Sequence, residues 1–231
     1  ILKNPDFLDL DAQKAIQIAE RFSKNKSKIE KASKSIKLAI LSNFNMDFLT
    51  KPLQFCLYQR GIDAQIHVPN YGTMITELLN LNSESFKFKP DYILIWPTYR
   101  DLQKYKSSLK DEIDFWKKLW DISLSKEINI IQILFDTPQY NFSKMSFNLK
   151  KPSIVNHIKN TNKKLEESNK DIKFISLDNL IFNLGSKKWQ DDRMYHLCKQ
   201  PFALEAIPEI SQFFSAEISG ILGFSKKVLI F

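Results

Sequence analysis

The chain has 231 residues, 43% of them hydrophobic and 13% aromatic, with 34 Lys and Arg against 26 Asp and Glu and a formal net charge of +8. That much apolar material builds a sizeable core and excludes a disordered chain. No run approaches the roughly 18 uninterrupted apolar residues of a membrane span, no signal segment opens the chain, and the basic residues are spread without zinc-finger spacing or a recognition helix, so neither membrane nor nucleic acid is an expected partner and a cytoplasmic location is the default.

In chain order, Asp11 to Phe22 has the period of an amphipathic helix with Ala15, Ile16, Ile18 and Ala19 on its apolar side, and a lysine-rich connection follows to residue 35. Ile36 to Leu41 predicts a first strand, Asp47 to Arg60 a helix stopped by Gly61, and Ala64 to Val68 a second strand. Thr73 to Leu81 reads as helix, Tyr92 to Trp96 as strand, Asp111 to Ser125 as helix and Asn129 to Phe135 as strand. Ser153 to Asn169 reads as helix, Ile172 to Ser176 as a fifth strand, and a helix of about 20 residues lies between Phe202 and Gly220. Cys56 and Cys198 fall in helical surroundings without C-x-x-C spacing and read as ordinary thiols.

Strands alternating with helices imply an α/β fold, three layers doubly wound around a mostly parallel five-stranded sheet, with the flavodoxin-like strand order 2-1-3-4-5 as the expectation. Such sheets bind ligands where loops leave the carboxyl ends of the strands. The loops are Ser42 to Asn45, Pro69 to Thr73, Pro97 to Asp101 and Asp136 to Pro138, with Asp191 to Pro201 closing the ring. Asn43, Phe44, Gly72, Arg100, Asp101 and Asp136 are the binding candidates, and Arg100 is the group best suited to grip a carboxylate or phosphate. Asp136-Thr137-Pro138 is equally a turn signal, and Asp192 with Arg193 reads as a site pair or as a structural ion pair. Phe44, Tyr71, Trp96 and Tyr99 suit an apolar mouth, although core packing accounts for Trp96 equally well. His67 and His157 have no carboxylate or cysteine at ligand spacing, so no metal site is expected.

Over residues 36–222 these loops resemble those of SGNH (GDSL-type) hydrolases, a flavodoxin-like architecture with a Gly-Asp-Ser nucleophile loop after the first strand. Gly72, in Tyr71-Gly72-Thr73-Met74, matches the family's oxyanion glycine. Ser42-Asn43-Phe44 stands where that family has Gly-Asp-Ser and puts Phe44 at the nucleophile position; Arg100-Asp101 replaces Asn-Asp, and Gln200 replaces the base. A hydrolase needs a nucleophile, a base and oxyanion donors. A catalytic role, as an SGNH esterase or O-acyltransferase, therefore requires Ser42 as nucleophile with His196 as base and Asp192 beside it, and is the alternative to a docking and positioning role with a degenerate site.

The segment Asp192-Arg193-Met194-Tyr195, then Gln200-Pro201-Phe202, a helix, Gly220 to Ser225 and Lys226-Lys227-Val228-Leu229-Ile230-Phe231 resembles the join between the two halves of FkbH-like proteins. Their second half is a haloacid-dehalogenase-superfamily (HAD) domain of subfamily IIIC. The resemblance implies a truncation just before the HAD D-x-D-x-T motif, with 1–35 an N-terminal helix and connection, 36–224 an SGNH-like domain and 225–231 the start of the missing domain. It also implies partners: an acyl carrier protein, a phosphorylated three-carbon donor and the chain's own HAD domain. Members work in polyketide or surface-glycan pathways. No cofactor is expected in this part, and Mg²⁺ is expected in the HAD half.

Overall fold

A computed structural model describes Phe7 and residues 10–29, 32–102, 108–138 and 154–224. The run 225–231, read above as the start of a following domain, and residues 104–107 of one basic stretch lie outside the described residues. Helix α1 (Ala12–Asn25) begins at Asp11, whose carboxylate accepts the Lys14 N–H at 2.8 Å and so satisfies one orphan donor of the first turn. After it come β1 (Lys34–Ser42), α2 (Asp47–Gln59), β2 (Ile62–His67), α3 (Met74–Leu79), α4 (Glu84–Lys87) and β3 (Tyr92–Trp96). Then follow α5 (Leu109–Leu124), β4 (Asn129–Ile133), α6 (Ile154–Ser168), β5 (Lys173–Ile175), α7 (Asp178–Leu184), α8 (Ser186–Trp189), α9 (Asp192–Cys198) and α10 (Ile207–Ile221).

The five strands form one parallel sheet in the order β2-β1-β3-β4-β5, the expected α/β architecture. Tyr92 pairs with Asn129 where β3 meets β4, and Ile131 with Lys173 where β4 meets β5. Ala39 and Leu41 pack on one side of β1, while Leu38 and Ile40, also wholly buried, point to the other by the two-residue period. Burial of both faces explains why β1 reads as a continuous apolar run.

Two compact units make up the chain, the first drawn from 1–38, 45–66 and 182–231 and the second from 39–44 and 67–181. In the first, Ala15, Ala19 and Phe22 of α1 share one helical face and meet Phe55 and Cys56 of α2. The Phe22 ring lies 5.3 Å from Phe55 and 4.8 Å from Tyr58. Burial pushes the Cys56 thiol up to about 12, so it stays protonated, and both cysteines are free. In the second unit, Trp116, Trp120 and Ile113 of α5 fill the core with Ile93 and Ile95 of β3 and Ile130 of β4. The two indoles keep their N–H groups satisfied: Trp116 donates to Glu112 at 2.8 Å and Trp120 to Gln132 at 3.1 Å.

Most predicted boundaries shift by one to three residues, and three of the differences have a local cause. The helix expected over 73–81 ends at Leu79, because Asn80 turns extended and its side chain takes the Asn82 N–H at 2.9 Å; Ser83 then starts α4. The strand expected through Phe135 stops at Ile133, since an asparagine side chain takes over the backbone of Phe135. The late helix is 15 residues, entered through a 3-10 turn over Leu204–Ala206, with Pro208 in its first turn where a missing N–H costs nothing.

Candidate functional site

The loops leaving β1, β3 and β4 are bound to one another inside the second unit. Asn43 is the first link: its Nδ2 donates to Asp101 Oδ1 at 2.8 Å, and its Oδ1 accepts the Met74 N–H, the first of α3, at 3.2 Å. Asp101 is the second, since its other oxygen accepts the Thr98 N–H at 2.7 Å and the Thr98 hydroxyl at 3.1 Å and so closes a capping box around the 3-10 turn Tyr99–Asp101. Asp136 is the third: 5% exposed, it accepts the Tyr99 N–H at 2.9 Å. Asn162 of α6 supports that acid from behind, its amide accepting the Phe135 N–H at 3.0 Å and donating to the Phe135 carbonyl at 2.9 Å as a neighbouring strand would.

Other candidates in this unit sit differently. Ser42 is 3% exposed and its hydroxyl donates to the Phe44 carbonyl at 3.0 Å, an ST-type local bond. Phe44 is 3% exposed and meets Trp96 edge to face, centroids 5.1 Å apart. Of the aromatics considered for an apolar mouth, Phe44 and Trp96 are therefore buried, Tyr99 is half-buried and Tyr71 is exposed. The Arg100 guanidinium lies over the Tyr99 ring at 4.5 Å. Gly72 has φ +77 in the turn that Thr73 N closes on the Asn70 carbonyl, a backbone state L residues rarely adopt.

Asp192 and His196 belong to α9 of the first unit, and both are exposed. Asp191 caps that helix by accepting the Met194 N–H at 3.0 Å. Gln200, where the hydrolase pattern has its base, is 1% exposed, and its Nε2 donates to the Phe202 carbonyl at 2.8 Å. Among the described residues, no group of three or more His, Cys, Asp and Glu could hold a metal ion, and no helix is long and apolar enough to cross a membrane.

The structure thus brings Asn43 and Asp101 into direct contact and ties Asp136 to the same 3-10 turn that carries Arg100. Sequence reasoning missed Asn162 and Thr98. Thr98 had a legible signal, the Thr-x-x-Asp capping pattern before Leu102. Asn162 had none, being one polar residue among many on a lysine-rich helix.

The sequence profile of the FkbH N-terminal domain matches residues 37–218. The chain belongs to that family. Among curated proteins the sequence has no match. In structure, this FkbH N-terminal domain is similar to the N-terminal part of a Bacteroides fragilis protein that contains a phosphatase domain and was crystallised with Mg, at TM-score 0.73 and 14% identity. The match covers 93% of this chain and 57% of that one, so the chain spans little more than half of its relative. It is also similar to a psychrotrophic esterase from Pseudoalteromonas sp., inhibited by monoethylphosphonate, at TM-score 0.58 and 14% identity over 81% of this chain and 98% of that one. An acetyl xylan esterase follows at TM-score 0.51 and 15% identity, over 81% of this chain and 100% of that one. At these identities the likeness is one of fold, the SGNH/GDSL hydrolase-like α/β architecture.

Proposed function

We propose that this FkbH N-terminal domain positions an acyl or glyceryl group for transfer to an acyl carrier protein and does not itself hydrolyse esters. The observation that carries the reading is the state of the loop after β1. The Ser42 hydroxyl is buried and already donates to the Phe44 carbonyl, while Phe44, at the nucleophile position, has no proton to lose. An ester hydrolase needs an exposed hydroxyl beside a base. Gln200 supports the same reading, because an amide donating to the Phe202 carbonyl is no base.

What remains is binding equipment: Gly72 in its turn and Arg100 held over Tyr99. Arg100 is the residue we assign to the carboxylate or phosphate of a phosphorylated three-carbon donor, with its guanidinium offering two parallel donors. The chemistry of phosphate removal, with Mg²⁺, belongs in this reading to a HAD half of the full-length protein. The net charge of +8 suits an acidic carrier protein.

The test is an assay of the full-length protein on p-nitrophenyl acetate and, separately, on a phosphorylated three-carbon donor with a carrier protein bearing phosphopantetheine. Ester turnover should stay at background, and Arg100→Ala should weaken donor or carrier binding about tenfold with an unchanged melting temperature. Ester turnover abolished by Ser42→Ala or His196→Ala would replace this reading with the esterase one.

A further inference from the structure

At the amino-terminal edge of β3 and β4, the edge opposite the loops described above, the second unit carries a cavity of about 310 Å³. Its walls are Leu81, Phe86, Pro90 and Ile128, and its rim carries Lys89 and Lys126. The volume equals about ten waters, the lower end of the range for small-molecule sites. Leu81 is 43% exposed, so the apolar lining opens to solvent.

The backbone around the cavity is strained. Among the described residues other than glycine, three have φ in the left-handed region, and two of them flank this cavity: Lys89 at +54 and Glu127 at +58. Each such residue costs about 1–2 kcal/mol, and at the other left-handed positions among the described residues, Lys199 apart, the residue is glycine. Both turns close helices, with Lys89 N–H reaching the Phe86 carbonyl at 3.0 Å after α4 and Glu127 N–H the Leu124 carbonyl at 2.9 Å after α5. Helix closure explains the turns, yet glycine would close them at lower cost. The strained turn at Lys89 keeps a lysine there, and Lys126 stands beside the other strained turn, both lining the same cavity. Neither forms an ion pair among the described residues, and the nearby Glu84 is held by Lys87 at 2.8 Å. Backbone strain of this kind concentrates at ligand clamps.

The geometry points to a binding site for an anionic amphiphile, a ligand of about ten heavy atoms with an apolar body and a terminal carboxylate. The body lies against Leu81, Phe86, Pro90 and Ile128, and the carboxylate is shared by the two ammonium groups. The site is separate from the carboxyl-edge loops and does not depend on the function proposed for them.

The test is an NMR titration of the full-length protein, labelled at Leu and Ile methyls, with octanoate as the probe. Saturable shifts are expected at Leu81 and Ile128, with affinity at least tenfold lower in Lys89→Gln/Lys126→Gln and in Leu81→Asp. All three positions are exposed, and unchanged circular dichroism confirms that the variants fold. Octanol, which has the same body without the charge, should bind at least tenfold more weakly than octanoate. Octanol binding as well as octanoate, an unchanged affinity in the lysine double variant, or shifts that never saturate would each overturn the proposal.

Discussion

Within the second unit, the two edges of the sheet handle their loops in opposite ways. At the carboxyl edge, side chains distant in sequence hold the backbone: Asn43 reaches Asp101 across 58 positions and Asn162 reaches Phe135 across 27. At the amino edge, the turns after α4 and α5 close themselves through local carbonyls and accept left-handed strain in doing so. Non-local bonds fix where a loop sits, so they belong where groups must be presented together. Local caps only end an element, and they leave neighbouring side chains free to take on other work.

The strongest way to break this contrast is Asp101→Ala, which strands the Asn43 amide, the Thr98 N–H and the Thr98 hydroxyl at once. Hydrogen bonds to a charged acceptor are worth about 1.5–3 kcal/mol each and do not add fully, so a loss of about 3 kcal/mol is expected in urea unfolding. Asn162→Ala should follow at about 2 kcal/mol, since it leaves the Phe135 N–H and carbonyl without a partner beside the buried Asp136. If either variant costs under 0.5 kcal/mol, roughly the noise of surface substitutions, the carboxyl edge is no more cross-linked than the other.

Smaller effects sharpen the comparison. Burial opposes the charge on Glu77, but hydrogen bonds from Ser85 and Ser83 outweigh it and hold the carboxyl below its ordinary value of 4.5. A depressed folded value means that the stabilisation is complete above pH 4.5 and fades as pH falls through the folded value. Glu77→Gln should therefore cost about 0.5–1 kcal/mol at pH 7, discounted for solvent, and the gap to the parent protein should narrow in unfolding curves taken below pH 4.5. Glu127→Gly should act in the other direction: relief of a left-handed non-glycine residue less the added chain entropy leaves a gain of about 0.5–1 kcal/mol. A loss there, read by thermal melts, would mean that the turn is not strained.

The sheet was legible because its signal is local. Tyr92 to Trp96 is apolar, β-branched or aromatic throughout and bounded by Pro90 and Pro97, so its limits agree with the observed strand. The five strands follow from alternation with helices, and their order is that of the flavodoxin-like architecture the loops resemble. Helices α7 to α9 were not legible: seven residues or fewer each, they hold too few turns for a periodic apolar face. In the candidate site, the loop positions follow from topology, but the use of each side chain does not. Nothing in Ser42-Asn43-Phe44 tells that the phenyl ring turns inward to Trp96 while the amide reaches across to Asp101. Those outcomes depend on residues some 50 positions away, beyond any local pattern.

Gly72 has a further consequence. Its φ of +77 strains ordinary side chains on conformational grounds, yet a Cβ built there would meet nothing within 4 Å. The restriction is one of handedness and not of room. A residue of the opposite chirality has that φ as its preferred state. D-alanine placed at position 72 by semisynthesis should thus fit without a clash and stiffen the turn, while L-alanine at the same place should loosen it. The two enantiomers, identical in size and polarity, would separate the contribution of backbone shape from that of space at the entrance to α3.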